Sequence, residues 1–214
     1  MSYQRARTPA HVAQRKEQIA GIALEIYDTQ GYQAVTFSAI AAQSNLTRPA
    51  LYTYFENTDD ILLHALGLEF EEVNLQLETS LKQRGSLTTA ELAQLINEAL
   101  APHPRLLKML SLNYSVIENG SSAQQLCAFK AKIMRTFSLL GQYVEQFFPG
   151  VDETRKVEFE FIVFSFISSV YILTHPSPKQ LQAIAANDAA FTVPPFERLC
   201  LQGLMAITRA LDDS

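Results

Sequence analysis

The side chains best suited to specific recognition lie in one short stretch, residues 47–54. Thr47 is a good N-cap for a short helix, and Pro49 falls in the first turn, where its missing N–H costs nothing. An arginine guanidinium suits guanine, and hydroxyl or aromatic groups can contact phosphates or a thymine methyl group. The predicted contact residues are Thr47 and Arg48 for base edges, and Tyr52, Thr53 and Tyr54 for phosphates or thymine methyl groups.

Two short helices separated by a tight turn would position these side chains. Thr36 is a good N-cap for the first helix, in which Phe37 and Ile40 share one face. Ser44-Asn45-Leu46 ends it, because Asn tolerates the left-handed conformation of a tight turn. The inward side of the second helix is supplied by Ala50, Leu51, Tyr54 and Phe55. The pattern predicts a helix-turn-helix over residues 35–54, although an ordinary helical hairpin would share it.

The flanking residues decide between these interpretations. Gly31-Tyr32, Thr36-Phe37, Ile40-Ala41, Leu51-Tyr52 and Tyr54-Phe55, followed by an acidic helix start, occur in the order and spacing of a known family. From about residue 15 to about residue 63 the chain resembles the DNA-binding domain of the tetracycline-repressor (TetR) family. The resemblance implies a three-helix DNA-binding domain in which the second helix of the helix-turn-helix enters the major groove.

Four positions depart from the family pattern. Asn45 stands where the family usually has Gly, Arg48-Pro49 where it has a basic and then a small residue, Thr58 where it often has Lys, and Ser38 near a frequent basic position. These departures predict fewer phosphate contacts and a weaker electrostatic grip on DNA. The complete predicted DNA-binding set is Thr36, Ser38, Thr47, Arg48, Pro49, Ala50, Tyr52, Thr53, Tyr54 and Thr58.

Composition and charge are compatible with this hypothesis. The chain has 214 residues, 48% of them apolar and 18% charged, with only 8 glycines, which favours helical globular domains. The net charge is −5, but residues 1–20 hold four basic residues against one acidic, whereas residues 65–214 hold twelve basic and sixteen acidic. The positive charge is therefore gathered at the end of the chain beside the helix-turn-helix. Local charge, and not the total, sets the field at a DNA surface.

Enzyme and metal signatures are missing. There is no Gly-rich phosphate loop, HExxH, GxSxG or CxxC pattern, and the four histidines are not spaced as ligands. Cys127 and Cys200 are expected to be free, buried thiols of a reducing compartment. The N-terminus lacks the apolar core of a signal peptide, and the thirteen-residue run 161–173 is too short to cross a bilayer. We therefore expect a cytoplasmic protein that is not an enzyme, has no cofactor, metal or catalytic residue, and has no membrane partner.

The remaining chain predicts one helix after another, without a strand-like alternation. Proline, glycine and capping residues divide it into helices over about 8–30, 57–84, 88–99, 106–117, 122–148, 152–173, 179–186 and 194–211. The predicted organisation is a basic arm at 1–11, a DNA-binding domain at 12–72 and an all-α effector-binding and dimerisation domain at 73–214. The fourth helix would join the two domains without a flexible linker.

Two late helices are apolar around much of their circumference, over about residues 161–171 and 199–207. A helix that is apolar all round must be buried, either in this chain's own core or against a second copy. The family resemblance implies the second arrangement, a dimeric four-helix bundle. We therefore expect a homodimer.

The family also uses the distal bundle to hold a small effector. Such pockets are mostly apolar with a few placed polar groups. The candidate ligand-binding residues are Met109, Asn113, Tyr114, Ile117, Phe129, Ile133, Phe137, Tyr171 and His175, each of which could equally be part of a packed core.

These expectations combine into one functional hypothesis. The chain would be a dimeric, ligand-responsive transcription regulator, a repressor that binds a palindromic double-stranded DNA operator and is released by a small apolar effector. Two other classes stay open, an all-α small-molecule carrier or enzyme that keeps a helix-turn-helix-like hairpin without a DNA role, and a helical interaction adaptor. A DNA-binding protein would lose affinity steeply with salt, whereas a carrier would not.

Overall fold

The computed structural model describes residues 8–187 and 190–212, and over these residues the chain is helical and contains no β-strand. The helices are α1 (Pro9–Gln30), α2 (Phe37–Gln43), α3 (Arg48–Leu51), α4 (Thr58–Gln83), α5 (Thr89–Leu100), α6 (Pro104–Leu112), α7 (Tyr114–Gly120), α8 (Ala123–Phe147), α9 (Glu153–Thr174), α10 (Pro178–Asn187) and α11 (Phe196–Arg209), with a 3₁₀ turn at Tyr32–Ala34. The all-α prediction is confirmed.

The chain forms two compact units that interleave along the sequence. The head unit contains the residues up to Leu68 together with Asn113–Ala131, and the body unit contains Glu69–Leu112 and the chain from Lys132 onward. The predicted functional division between residues 72 and 73 stays a prediction. Residues 1–7 of the predicted basic arm lie outside the described residues, and α1 already begins at Pro9.

Helix α1 of the head unit begins and ends at the predicted residues. The Thr8 hydroxyl accepts a hydrogen bond from the His11 N–H at 3.4 Å, and Gly31 ends the helix with φ of 85°, a conformation that favours glycine. The buried face of α1 is the predicted apolar stripe, which includes Ile19, Ala23, Ile26 and Tyr27. This face gives the head unit its core.

The segment Asn113–Ala131 packs within the same unit. The Tyr27 hydroxyl donates to Asn113 Oδ1 at 2.7 Å, and the Ser122 N–H donates to Asp60 Oδ1 at 2.7 Å. A Cβ at Gly120 would lie 1.9 Å from an Asp59 carboxylate oxygen, so only glycine fits there. Helix α7 and the first turns of α8 are therefore part of the head unit's packing.

In the body unit, α11 packs on α5 and α9, and α6 packs on α9. Helix α5 begins with a capping box, since Thr88 and Glu91 each accept the other's backbone N–H. The Phe166 ring lies where a Cβ on Gly203 would be, 2.1 Å from the nearest ring carbon. This glycine lets α9 and α11 approach closely.

Three local predictions were wrong. The single helix predicted over 106–117 is broken at Asn113, whose side chain accepts from Tyr27 instead of continuing the helix. Asn45 is not left-handed, because no described residue other than glycine has positive φ; instead Ser44 is extended and its hydroxyl accepts from the Leu46 N–H at 3.3 Å. Cys127 is exposed, although Cys200 is buried as expected. Within this chain α9 is buried along one side only, so its expected burial against a second copy stays a prediction.

The exposed side of α9 is strongly apolar. Only the line containing Phe159, Val163, Ile167 and Val170 is buried, whereas Phe161 is 59% and Leu173 is 67% exposed. By length and composition the helix could cross a bilayer, a test that core helices of soluble proteins also pass. The helix itself was predicted at about 152–173, but the bilayer argument from the sequence considered only its uncharged run 161–173, whereas the whole helix has 22 residues.

Candidate nucleic-acid interface and effector cavity

The turn from α2 into α3 places the predicted reading residues at the surface. The Thr47 hydroxyl caps α3 by accepting the Ala50 N–H at 3.4 Å, and Pro49 occupies the first turn as predicted. Leu51 is completely buried, and Phe55 is 4% exposed. The same short helix therefore anchors its inner face in the head unit and leaves Arg48 exposed.

Tyr52 is part of this exposed surface. Its side chain is 54% exposed, yet the ring packs edge-on against Phe37 with 4.4 Å between ring centroids. This contact restrains the ring while the hydroxyl reaches solvent, which suits a group that donates to phosphate.

Three of the four threonines in the predicted DNA-binding set differ in hydrogen-bonding capacity. Thr36 and Thr47 accept backbone N–H groups as helix caps, so their hydroxyl hydrogens remain for another acceptor. The Thr53 hydroxyl instead donates to the Ala50 carbonyl at 2.7 Å. Phosphate oxygens only accept hydrogen bonds, and for this reason Thr53 is better suited to a methyl contact than to a phosphate contact.

The other predicted DNA-binding residues lie at the surface of the head unit or partly buried in it. Ser38 and Pro49 are exposed, and Ala50, Tyr54 and Thr58 are half-buried. Thr58 is the first residue of α4, where the Asn57 side chain caps the helix by accepting the Asp60 N–H at 2.8 Å. Asp60 in turn accepts the N–H of Glu56, the residue before this cap, at 3.3 Å.

Positive charge is scarce in the head unit. Arg48 is the only lysine or arginine between Lys16 and Lys82. On α1, Arg15 donates to Gln18 at 2.9 Å, and the Lys16 ammonium lies 5.0 Å from the centroid of the Phe55 ring. The Lys16 contact links a potential phosphate ligand to the residue that anchors the helix-turn-helix.

A half-buried hydrogen-bonded pair lies at the start of α4. The Tyr32 hydroxyl donates to Asp59 Oδ1 at 2.7 Å. Burial, together with the neighbouring Asp59, raises the pKa of Tyr32 to about 12, and burial raises the pKa of the Asp59 carboxyl. The pair fixes the turn at Tyr32–Ala34 to α4 within the head unit.

The structure does not gather the predicted effector residues into one site. In the head unit, Asn113 is bonded to Tyr27, Ile117 is fully buried, and the Tyr114 and Phe129 rings lie 6.1 Å apart. The Lys130 ammonium donates to the Tyr114 hydroxyl at 3.0 Å. These four predicted residues serve the packing of this unit.

In the body unit, the predicted residues separate into core and cavity. Met109 and Ile133 are buried core residues, and the Phe137 ring packs on Phe161 at 5.2 Å. Tyr171 and His175 of the predicted set line a cavity instead, and their rings stack 3.9 Å apart with 5° between planes.

This cavity has a volume of about 290 Å³ and lies at the junction of α5, α6, α9 and α11. Besides Tyr171 and His175, it is lined by Asn97, Leu100, Ala101, Pro104, Leu107, Phe196, Glu197 and Cys200, none of which was predicted from sequence. The available sequence signals were the prolines that begin α6 and precede α11, since they place Leu107 and Phe196 at the ends of neighbouring helices. No group of His, Cys, Asp or Glu side chains suited to a metal occurs in the part of the chain that the structure describes.

A helix-turn-helix head joined to an all-α body defines a two-part DNA-binding regulatory protein. Residues 22–65 match the family model described as "Bacterial regulatory proteins, tetR family", and residues 68–211 match the model described as "Tetracyclin repressor-like, C-terminal domain". The chain belongs to the TetR family of bacterial regulatory proteins.

Among curated proteins, the chain is similar to the HTH-type transcriptional repressor KstR of Mycolicibacterium smegmatis, with 32% identity over 65 residues. The alignment covers 30% of this chain and 32% of that repressor, so the similarity spans about a third of the relative's length. This match supports the family assignment, and the sequence similarity does not extend over the rest of that repressor.

Solved structures share the fold over nearly the whole chain. The fatty acid degradation regulator FadR from Bacillus halodurans superposes with a TM-score of 0.58 at 14% identity, covering 92% of this chain and 94% of that one. A transcriptional regulator of the TetR/AcrR family from Thermobifida fusca gives 0.55 at 16% identity, covering 92% and 96%. At these identities the likeness concerns the fold alone.

Proposed function

We propose that this protein is a homodimeric, effector-responsive transcription repressor of the TetR family. Two copies of α3 would enter successive major grooves of a palindromic operator. The observation that carries the proposal is the capped, surface-exposed start of α3, which presents Thr47 and Arg48 while Leu51 and Phe55 hold the helix in the head unit.

Dimerisation is the second part of the proposal. The exposed apolar side of α9, with Phe161, Ile162 and Leu173, would be costly in water and suits a two-fold symmetric contact with a second copy. Covering it with protein accounts for an apolar helix in a family of DNA-binding regulators, and we place the protein in the cytoplasm with no membrane partner.

Effector response is the third part. The cavity at α5, α6, α9 and α11 is our candidate site, because it combines an apolar floor with aromatic and polar side chains and is close in size to the smaller ligand pockets of roughly 300 Å³. An effector that binds there more tightly in the DNA-free state would release the operator, and DNA would weaken effector binding by the same factor.

The test is fluorescence anisotropy of the purified protein on duplex DNA carrying a selected palindrome, over a series of salt concentrations. Arg48→Ala should weaken binding by about 1–3 kcal/mol per half-site and relax the preference at one position of each half-site. Arg84→Ala, an exposed arginine of the body unit, is the matched control and should leave affinity unchanged.

An all-α carrier or enzyme is the alternative class, favoured only by the cavity. Weak binding to every sequence in a random-duplex selection, shared by the wild type and Arg48→Ala, would reject the repressor and leave the carrier.

A further inference from the structure

The lining of the candidate effector cavity contains one acidic side chain and no lysine or arginine. Of the side chains that line it, only Glu197 carries a full charge when His175 is neutral, and no lysine or arginine is among them. Burial raises the pKa of the Cys200 thiol to about 11, so this group is neutral at physiological pH. An anionic ligand would find a carboxylate and no fixed cation there.

Aromatic rings form one wall of the same cavity. The stacked rings of Tyr171 and His175 lie 6.2 Å and 5.7 Å from the ring of Phe196, centroid to centroid. The faces of Tyr and Phe rings attract cations. The aromatic rings and the Glu197 carboxylate would therefore both attract a positively charged group in this cavity.

The orientation of His175 adds an acceptor to the site. Its Nδ1 lies 3.1 Å from both the Tyr171 carbonyl oxygen and the Thr174 hydroxyl oxygen. Because the carbonyl only accepts and the Thr174 hydroxyl donates to the Val170 carbonyl at 3.0 Å, the tautomer with hydrogen on Nδ1 satisfies all of these contacts. In the neutral ring Nε2 is then an acceptor. With the Glu197 carboxylate, this gives the cavity two acceptors on its polar side.

The floor is apolar, with Leu100, Ala101, Pro104 and Leu107 supplied by the end of α5 and the start of α6. The larger body-unit cavity of about 490 Å³ between α4 and α8 lacks this combination, because Lys82 and Arg135 line it as ion-pair partners of Glu78. Of these two cavities, the one at α5, α6, α9 and α11 joins an apolar floor and an aromatic wall to a carboxylate, with no lysine or arginine in its lining.

We infer that this cavity recognises a compact amphipathic organic cation, an amine or quaternary ammonium group attached to an apolar body. The charged group would lie between Glu197 and the aromatic rings, and the apolar body would lie on the floor. The inference depends on the proposed function only for the link between this ligand and DNA release.

The experiment compares three probes of similar size by calorimetry and ligand-observed NMR on the full-length protein. Phenyltrimethylammonium is the cation, tert-butylbenzene its uncharged isostere, and phenylacetate the anion. We expect the cation to bind at least about tenfold more tightly than the isostere, and the anion to bind most weakly.

Two variants assign the preference to named side chains. Glu197→Gln and Phe196→Leu should each reduce the cation's advantage over the isostere several-fold while preserving isostere binding. Glu158→Gln, an exposed carboxylate on α9 outside the cavity lining, is the matched control and should retain the advantage. Circular dichroism establishes that each variant is folded.

Any one of four results would overturn the inference. They are equal binding of cation and isostere, tightest binding of phenylacetate, absence of binding by all three probes, and an unchanged preference for the cation in Glu197→Gln. Operator anisotropy separates the two proposals. A cation that binds the cavity without changing operator affinity confirms the recognition and rejects the effector role, whereas loss of operator binding in the wild type itself would reject the repressor and leave the cavity result standing.

Discussion

The salt dependence of operator binding should be shallow for a dimeric repressor, because the head unit has so few cations. From residue 8 to residue 68 the only lysines and arginines are Arg15, Lys16 and Arg48, against six acidic residues. If all three neutralise phosphates, a dimer releases counterions at about six positions. The slope of log K against log salt is then about −5.4, since each phosphate contributes about −0.9.

Arg5 and Arg7, which lie outside the described residues, set the upper bound. Adding both to each subunit raises the number of neutralised phosphates to about ten, and the slope to about −9. The variant Arg5→Ala/Arg7→Ala should therefore make the slope shallower by up to about 3.6. Arg84→Ala/Arg105→Ala removes two arginines from the body unit and should not change it.

The assay is anisotropy on one operator duplex between about 50 and 200 mM salt, a range over which a slope of −5.4 predicts roughly a 2,000-fold loss of affinity. A wild-type slope clearly steeper than −9 would refute the reasoning, because lysines and arginines beyond residue 68 would then have to contact DNA. A slope near zero would refute DNA binding by charge neutralisation altogether.

Three further predictions concern stability and assembly. The pKa of Tyr32, Tyr114 and Tyr143 is raised to about 12 from 10.0, so the folded state holds these protons to higher pH than the unfolded state does. The resulting contribution to the free energy of unfolding is complete below about pH 10 and should disappear as the pH rises towards 12. The urea midpoint should therefore fall less over this pH range in Tyr32→Phe than in the wild type. Gly203→Ala should destabilise the body unit by about 1–3 kcal/mol, because the new methyl group overlaps the Phe166 ring, whereas Gly85→Ala, with no atom within 4 Å, should have a much smaller effect in the same denaturant titration; equal losses would contradict the packing argument. Phe161→Asp should shift sedimentation towards a monomer, while Tyr52→Asp in the head unit should not; a Phe161→Asp dimer as tight as the wild type would place the subunit contact elsewhere.

Local signals predicted the helices well. Thr8, Thr36, Thr47, Thr88 and Asp152 each cap the helix that their sequence context indicated, because an N-cap acts on backbone groups two or three residues away. The family resemblance then supplied the helix-turn-helix. These features depend on neighbours along the chain, which the sequence displays directly.

Features that depend on distant residues were missed. At the helix break, the Asn113 side chain accepts a hydrogen bond from Tyr27, 86 residues earlier, and no local pattern reveals this contact. The cavity joins the ends of four helices, and its carboxylate, Glu197, looks from the sequence like any exposed residue in a first helical turn. The predicted ligand set failed to converge because an apolar residue at helical spacing has the same pattern whether it faces a core or a cavity.

The interleaving of the two units has a consequence for how this protein can be recombined. A fragment that ends at Leu68 would lose the acceptor that Asn113 offers to Tyr27 and the N–H that Ser122 gives to Asp60. An exchange of DNA-reading modules between relatives would then have to carry two separate pieces of gene, one of them embedded in the region that encodes the ligand-binding half. Selection for a new operator and selection for a new inducer would therefore act on overlapping stretches of sequence. The head unit of this protein cannot be transferred as one continuous segment.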